Sequence, residues 1–318
     1  VTSADAAAPP GNWEWGVCGA SVVGSEHERR GLGSDDAYAY GVAGDFVVAV
    51  VADGAGSVTG TSAWGAYAAC QSVLFDAMEA AFIRDFGHAS TADAEGLMRW
   101  LFEGAVERVA RQADALGLDV TRLATTLSVA VGDRDRAVFG QIGDGIIASE
   151  CGDAIQTLLV EEKDDYANAT WFIQSDGAFE QSFRTAAQTG VTAFALSTDG
   201  MSYKITNVAS GEPYEPFFRG SWQHVRTGVN SANFTALLRG IEDDQTGDDK
   251  TMVLAARRWE EDQFFPSPRP DRRVEVSSPV PPPIPVEFDR HLVQAEAETD
   301  PLTVGGAGKR RFFRRRDQ

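Results

Sequence analysis

Cysteine and histidine are scarce in this chain of 318 residues. Three cysteines, Cys18, Cys70 and Cys151, are too few and too widely spaced for a disulfide framework, and they form no Cys-x-x-Cys zinc pattern. They read as small buried hydrophobes in a reducing compartment. Four histidines, His27, His88, His224 and His291, share no metal-ligand spacing. Basic charge is also short: 28 Lys and Arg stand against 47 Asp and Glu, a formal net charge of −19. Such a surface repels phosphate backbones, which excludes a general nucleic-acid binder. Long hydrophobic runs are missing, for the most apolar, Phe46 to Ala52, has seven residues against the ~20 that span a bilayer. The first ten residues have neither a basic n-region nor an apolar h-region, so no signal peptide is expected and the cytoplasm is the expected location.

The prolines divide the chain. Nine of the 13 lie beyond Phe265, in Pro-Ser-Pro-Arg-Pro (266–270), Pro-Val-Pro-Pro-Pro-Ile-Pro (279–285) and Pro301. Such segments favour extended polyproline conformations over a packed core. The expected organisation is a flexible N-terminus (1–12), one folded domain (13–258) and a Pro-rich, disordered tail (259–318) ending in the basic cluster Lys309–Arg316. The tail holds ten basic and eleven acidic residues, so nearly all of the charge imbalance belongs to the domain.

Within the domain, β-rich runs are read at 17–23, 37–42, 46–52, 125–131, 136–142, 145–149, 154–160, 191–197 and 251–257. Helical spacing is read at 62–84, 92–116 and 230–240. Strands joined by short turns, without a helix between each pair, predict antiparallel sheets in an α+β layered domain.

One pattern repeats along these strands. Apolar runs stop at aspartate followed by glycine at Asp53-Gly54, Asp144-Gly145 and Asp199-Gly200, while Ser34-Asp35-Asp36 and Asp248-Asp249 precede strands. Asp-Gly is also the commonest turn dipeptide, and any one case reads first as a turn. Five such sites in one domain are different, because paired strands can bring their ends to a common rim. Carboxylates ~4 Å apart repel by about 4 kcal/mol at an effective dielectric of about 20, so protons or cations must compensate. An oxygen-only donor set selects hard ions such as Mg²⁺ or Mn²⁺. Glycine after aspartate would leave its carbonyl open as a further ligand and let a substrate approach the backbone. Two ions sharing a carboxylate and a water fit phosphoester hydrolysis. No Cys-x5-Arg, Gly-x-Ser-x-Gly or Ser-His-Asp signature offers a covalent nucleophile.

Taken in order, these motifs resemble the metal-dependent protein phosphatases of the PP2C family, in particular its compact bacterial branch. The resemblance rests on Gly19–Gly24 with His27, Ser34–Ala37, Val51–Ser57, Ala124–Leu127, Gly140–Gly145, Asp165–Thr170, Leu196–Gly200 and Asp248–Thr251. It implies an α-β-β-α sandwich, two antiparallel sheets flanked by helix pairs, with a binuclear Mn²⁺ or Mg²⁺ centre that activates a bridging water against phosphoserine and phosphothreonine. It implies Asp53 as the bridging ligand, the Gly54 carbonyl on the second ion, and Asp199 and Asp248 on the first. Asp36 and Asp35 would act through metal-bound waters, and Asp144 with Asp199 would hold a third, weaker ion. The 165–170 segment would form a flap beside the site.

Two positions depart from the family. Ala55 stands where many relatives carry a histidine general acid, which leaves His27 or a water for that role. Gly31 stands where relatives often have a phosphate-binding arginine, which leaves Arg30 as the candidate. These departures keep open a second reading, a catalytically weak phosphoprotein-binding or scaffold module. Phosphorylated proteins and a cognate Ser/Thr kinase are the implied partners. The tail would bind a Pro-recognising partner or an anionic surface.

Overall fold

The run Phe46–Ala52 is a strand buried on both faces, and its alternation shows how the layers stack. Phe46, Val48, Val50 and Ala52 point into a core beneath helices, while Val47, Ala49 and Val51 point into a second core between two sheets. The computed structural model describes residues 13–55, 60–160, 170–207, 210–228, 230–242 and 246–259. The sequence-based expectations for residues 1–12, the 165–169 part of the flap and the tail beyond Trp259 lie outside the described residues.

The strands are β1 (Trp13–Val22), β2 (Ala37–Ala43), β3 (Phe46–Ala52), β4 (Leu127–Gly132), β5 (Arg136–Ile142), β6 (Ile146–Cys151), β7 (Ala154–Leu158), β8 (Arg184–Thr189), β9 (Val191–Ser197) and β10 (Lys250–Trp259). They form two five-stranded antiparallel sheets, ordered β1-β10-β9-β6-β7 and β2-β3-β4-β5-β8. The helices are α1 (Ser25–Arg30), α2 (Ser62–Ala77), α3 (Ala80–His88), α4 (Thr91–Leu116), α5 (Ala178–Gln181), α6 (Ser202–Ile205), α7 (Glu215–Arg226) and α8 (Ser231–Gly240). α2 and α4 cover the second sheet, and α7 and α8 cover the first. This is the α-β-β-α order expected from the sequence.

Between the sheets, Phe139 and Phe194 meet edge to face at 5.8 Å, and Trp15 lies against Phe194 at 5.4 Å. Burying each phenylalanine contributes about 1.5–3 kcal/mol. α4 begins at a capping box of Ser90 and Asp93 and stops at Gly117, whose φ is +67°. Its buried stripe, Ala94, Met98, Leu101, Phe102, Ala105, Val109 and Ala113, fits the helical period that predicted it.

Several elements depart from the sequence reading, among them the short helices α1, α5 and α6. The single helix expected at 62–84 is two, because the chain turns at Met78–Glu79 and lays Phe82 and Phe86 against Phe46. α7 and β8 were not expected. α7 starts with Pro216 in its first turn and buries Phe218, Trp222 and Val225, with the Trp222 indole N–H donating to the Phe194 carbonyl at 3.0 Å. β8 is a half-exposed edge strand with two alanines at its centre, too weak a β signal to stand out. No helix among the described residues is long and apolar enough to cross a membrane.

Candidate metal centre

All five aspartate sites lie at the same end of the sandwich. Asp53 follows β3 and Asp36 precedes β2, its neighbour in register through Ala37 and Ala52. Asp199 follows β9 and Asp248 precedes β10, which pair through Ser197 and Met252. Asp144 sits in the turn from β5 to β6, where the chain passes from one sheet to the other. Carboxylates from both sheets therefore meet across the seam.

Their electrostatics express this crowding. Burial, followed by the charges of Asp36, Asp199 and Asp248, raises the Asp53 carboxyl well above the usual carboxylate range. Burial and the charges of Asp249 and Asp248 do the same to Asp36, against a lowering hydrogen bond from Thr198. Asp144 stands at the margin, accepting from the Thr170 hydroxyl at 2.8 Å.

The backbone around these groups is pinned. Asp53 N–H donates to Thr126 Oγ1 at 3.0 Å, and its carbonyl accepts from Thr126 N–H at 2.8 Å and from Thr125 Oγ1 at 2.9 Å. Gly54 N–H donates to the Asp35 carbonyl at 3.2 Å. Thr198 Oγ1 donates to Asp36 Oδ2 at 2.8 Å and accepts from Thr251 N–H at 3.2 Å.

The glycines of two of these aspartate sites sit against other parts of the chain. Neither Gly54 nor Gly200 has a positive φ, so neither is a left-handed turn residue. A Cβ on Gly54 would lie 2.6 Å from the Asp35 carbonyl oxygen, and one on Gly200 would overlap the Asp249 carbonyl oxygen. What approaches these glycines is the chain's own aspartate-bearing backbone.

Asp249, named in the sequence reading only beside Asp248, has a role that reading did not assign. It is 2% exposed. Its Oδ1 accepts from Gly24 N–H at 2.7 Å, and its Oδ2 accepts from Asp35 N–H at 2.7 Å and from His27 Nδ1 at 2.9 Å. His27, Asp248 and Asp249 bring potential ligand atoms within 4.8 Å of one another. Because the Asp249 carboxylate already receives three hydrogen bonds, it reads as a brace.

His27 itself is buried, with Nε2 3.9 Å from Asp35 Oδ2. Burial works against its charge, yet the Asp249 hydrogen bond and the charges of Asp249, Asp35 and Asp248 hold its pKa above the ordinary value. Asp35, grouped with the metal carboxylates in the sequence reading, turns its carboxylate to Ser62 Oγ at 2.8 Å and towards His27. Arg30 lies on the exposed side of α1, 3.0 Å from Glu26.

Comparison with known proteins bears on this arrangement. The sequence model of the protein phosphatase 2C family matches residues 23–239. The chain belongs to the protein phosphatase 2C family. The phosphatase is 27% identical over 254 residues to Serine/threonine-protein phosphatase 3 of Escherichia coli (strain K12), a likeness covering 76% of this chain and 98% of that protein. A crystal structure of a bacterial serine phosphatase superposes with a TM-score of 0.52 at 12% identity, over 77% of this chain and 98% of the other. The same description with an R161E mutation gives 0.51 at 16%, over 76% and 97%. These superpositions show the sandwich fold. The family match ends before Asp248, yet β10 behind that residue sits between β1 and β9 in this phosphatase.

Proposed function

We infer that this protein phosphatase hydrolyses phosphoserine and phosphothreonine in proteins with the help of divalent cations held by Asp53, Asp199 and Asp248, with Asp36 beside them and the Gly54 carbonyl as a further oxygen donor. The observation that carries this reading is the convergence at one rim of Asp36, which is buried, with the partly buried Asp53, Asp199 and Asp248. Burial, together with neighbouring carboxylate charges, lifts the carboxyl pKa values of Asp36 and Asp53. Oxygen-only donors of this kind fit Mn²⁺ or Mg²⁺. Bound there, two such ions would neutralise phosphoryl oxygens and acidify a shared water for in-line attack on phosphorus.

The chain's own residues prepare that chemistry. Thr126 and Thr125 fix the Asp53 backbone, so its carboxylate is aimed before any ion arrives. Thr198 orients Asp36 from the opposite sheet. Asp144, tied to Thr170 at the end of the flap segment, is the candidate for a third, weaker ion and links that segment to the rim. Ala55 after Gly54 supplies no acid, and Arg30, the phosphate-contact candidate, is paired with Glu26 on its own helix.

The test is hydrolysis of p-nitrophenyl phosphate and a phosphothreonine peptide with Mn²⁺, with and without EDTA, in wild type and Asp53→Asn. Turnover that EDTA and Asp53→Asn both abolish supports the reading. Equal background rates in both proteins would leave a binding module.

A further inference from the structure

We propose that Asp249 and His27 form a positioning pair that sets the spacing of the metal-site aspartates in the apo-protein. This rests on the function inferred above, since it concerns the same rim. Each candidate ligand has a neighbour in sequence that reaches across the fold. Asp249 follows Asp248, and its carboxylate gathers Gly24 N–H, Asp35 N–H and His27 Nδ1, from residues 225, 214 and 222 positions away. Asp35 precedes Asp36, accepts the Ser62 hydroxyl through its carboxylate, and receives Gly54 N–H on its carbonyl. The starts of β10, β2 and α2, the segment leading into α1, and the end of β3 are thereby joined in one buried network.

The packing leaves this network little slack. A Cβ on Gly24 would overlap the Asp248 backbone, and the Gly247 carbonyl accepts from Glu26 N–H at 2.9 Å, so α1 is laid directly on the ligand loop. His27 is 6% exposed and sits between two carboxylates, 2.9 Å from Asp249 and 3.9 Å from Asp35. A side chain enclosed in this way is poorly placed to protonate a leaving group. It is well placed to keep Asp35 and Asp249 apart at a fixed distance, and with them Asp36 and Asp248. Groups that orient metal ligands from behind typically carry about 10–100-fold of metal affinity.

The experiment measures Mn²⁺ binding by calorimetry on the full chain, in wild type, His27→Leu, His27→Asn, Asp249→Ala and Asp53→Asn. Amide hydrogen exchange is followed on the metal-free proteins. Asparagine at 27 places an amide N–H near the position of Nδ1, so it can keep the bond to Asp249. The expected result is a Mn²⁺ dissociation constant raised about 10–100-fold in His27→Leu and Asp249→Ala, and recovered to within about threefold in His27→Asn. Exchange at Gly24 and Asp35 should accelerate in Asp249→Ala with the rest of the sandwich still protected.

Folded His27→Leu and Asp249→Ala proteins that bind Mn²⁺ as wild type does would overturn the proposal. So would His27→Asn binding as weakly as His27→Leu. Failure of wild type to bind Mn²⁺ would overturn the metal reading, and exchange at Gly24 and Asp35 would then decide the brace on its own: unchanged rates in Asp249→Ala would end it.

Discussion

Thr198 and Asp36 stand on different sheets, and the threonine hydroxyl donates to the carboxylate at 2.8 Å across 162 residues of sequence. The same hydroxyl accepts Thr251 N–H. One side chain therefore links the ends of β9, β2 and β10 at the point where carboxylates must be aimed.

Thr198→Val keeps the shape of this link and removes its hydrogen bonds. Asp36 and the Thr251 amide would each lose a buried partner, at a combined cost of about 1–3 kcal/mol. Urea denaturation of the EDTA-treated protein should show a lower midpoint with an unchanged slope. Thr198→Ser, which keeps the hydroxyl, should recover most of it; an unaltered midpoint in the valine variant would remove Thr198 from this role.

The raised carboxyl pKa values predict an inverted pH response. Asp36 and Asp53 bind protons more tightly in the folded protein than in the unfolded chain. The metal-free protein should therefore lose stability as pH rises above about 4, the unfolded carboxylate range, through the raised folded values. Mn²⁺ should flatten that slope by taking the protons' place. Melting temperature against pH, in EDTA and in Mn²⁺, checks both signs. A metal-free protein growing steadily more stable from pH 4 to 7 would contradict the crowded rim.

Glycine substitutions should separate by position. Gly200→Ala forces a methyl into the Asp249 carbonyl oxygen, whereas a methyl on Gly33 meets nothing within 4 Å. Gly200→Ala is expected to cost about 1–3 kcal/mol or more and to weaken Mn²⁺ binding, while Gly33→Ala stays within about 0.5 kcal/mol. Denaturation midpoints of the two variants compare them directly.

Arg30 should prove dispensable. It is exposed and occupied by Glu26 on its own helix, and pairs of this kind contribute little. Arg30→Ala is expected to leave kcat/KM on a phosphothreonine peptide within about twofold of wild type, as surface substitutions usually do. A fall of more than about tenfold would restore it as a phosphate contact.

Much of this architecture can be read from single segments. β3, β5 and β9 have the bounds their apolar runs predict, and α4 runs one residue longer than its periodicity at the start. These elements bury residues in local patterns, and local patterns are visible in sequence. The Met78–Glu79 break is not, because no glycine or proline marks it and Phe82 and Phe86 turn to meet Phe46 from a distant strand. α7 carried its signal at Phe218, Trp222 and Val225, but Pro216 and Gly220 disguise it.

The centre divides in the same way. Asp53, Asp144 and Asp199 are legible because each ends an apolar run beside glycine. Asp249, Thr198 and Ser62 are not, since their partners lie 27 to 225 residues away and nothing near them in sequence names those partners. Gly54 and Gly200 stand out in the sequence beside their aspartates, and the packed backbone adds that a side chain there would meet the chain itself.

The last strand of the fold, β10, lies between the first, β1, and the ninth. During synthesis, β1 must therefore wait for more than two hundred residues before its neighbour in the sheet exists. That neighbour arrives with Asp248 and Asp249 at its leading end. The growing chain thus has no complete aspartate rim until the domain is almost finished.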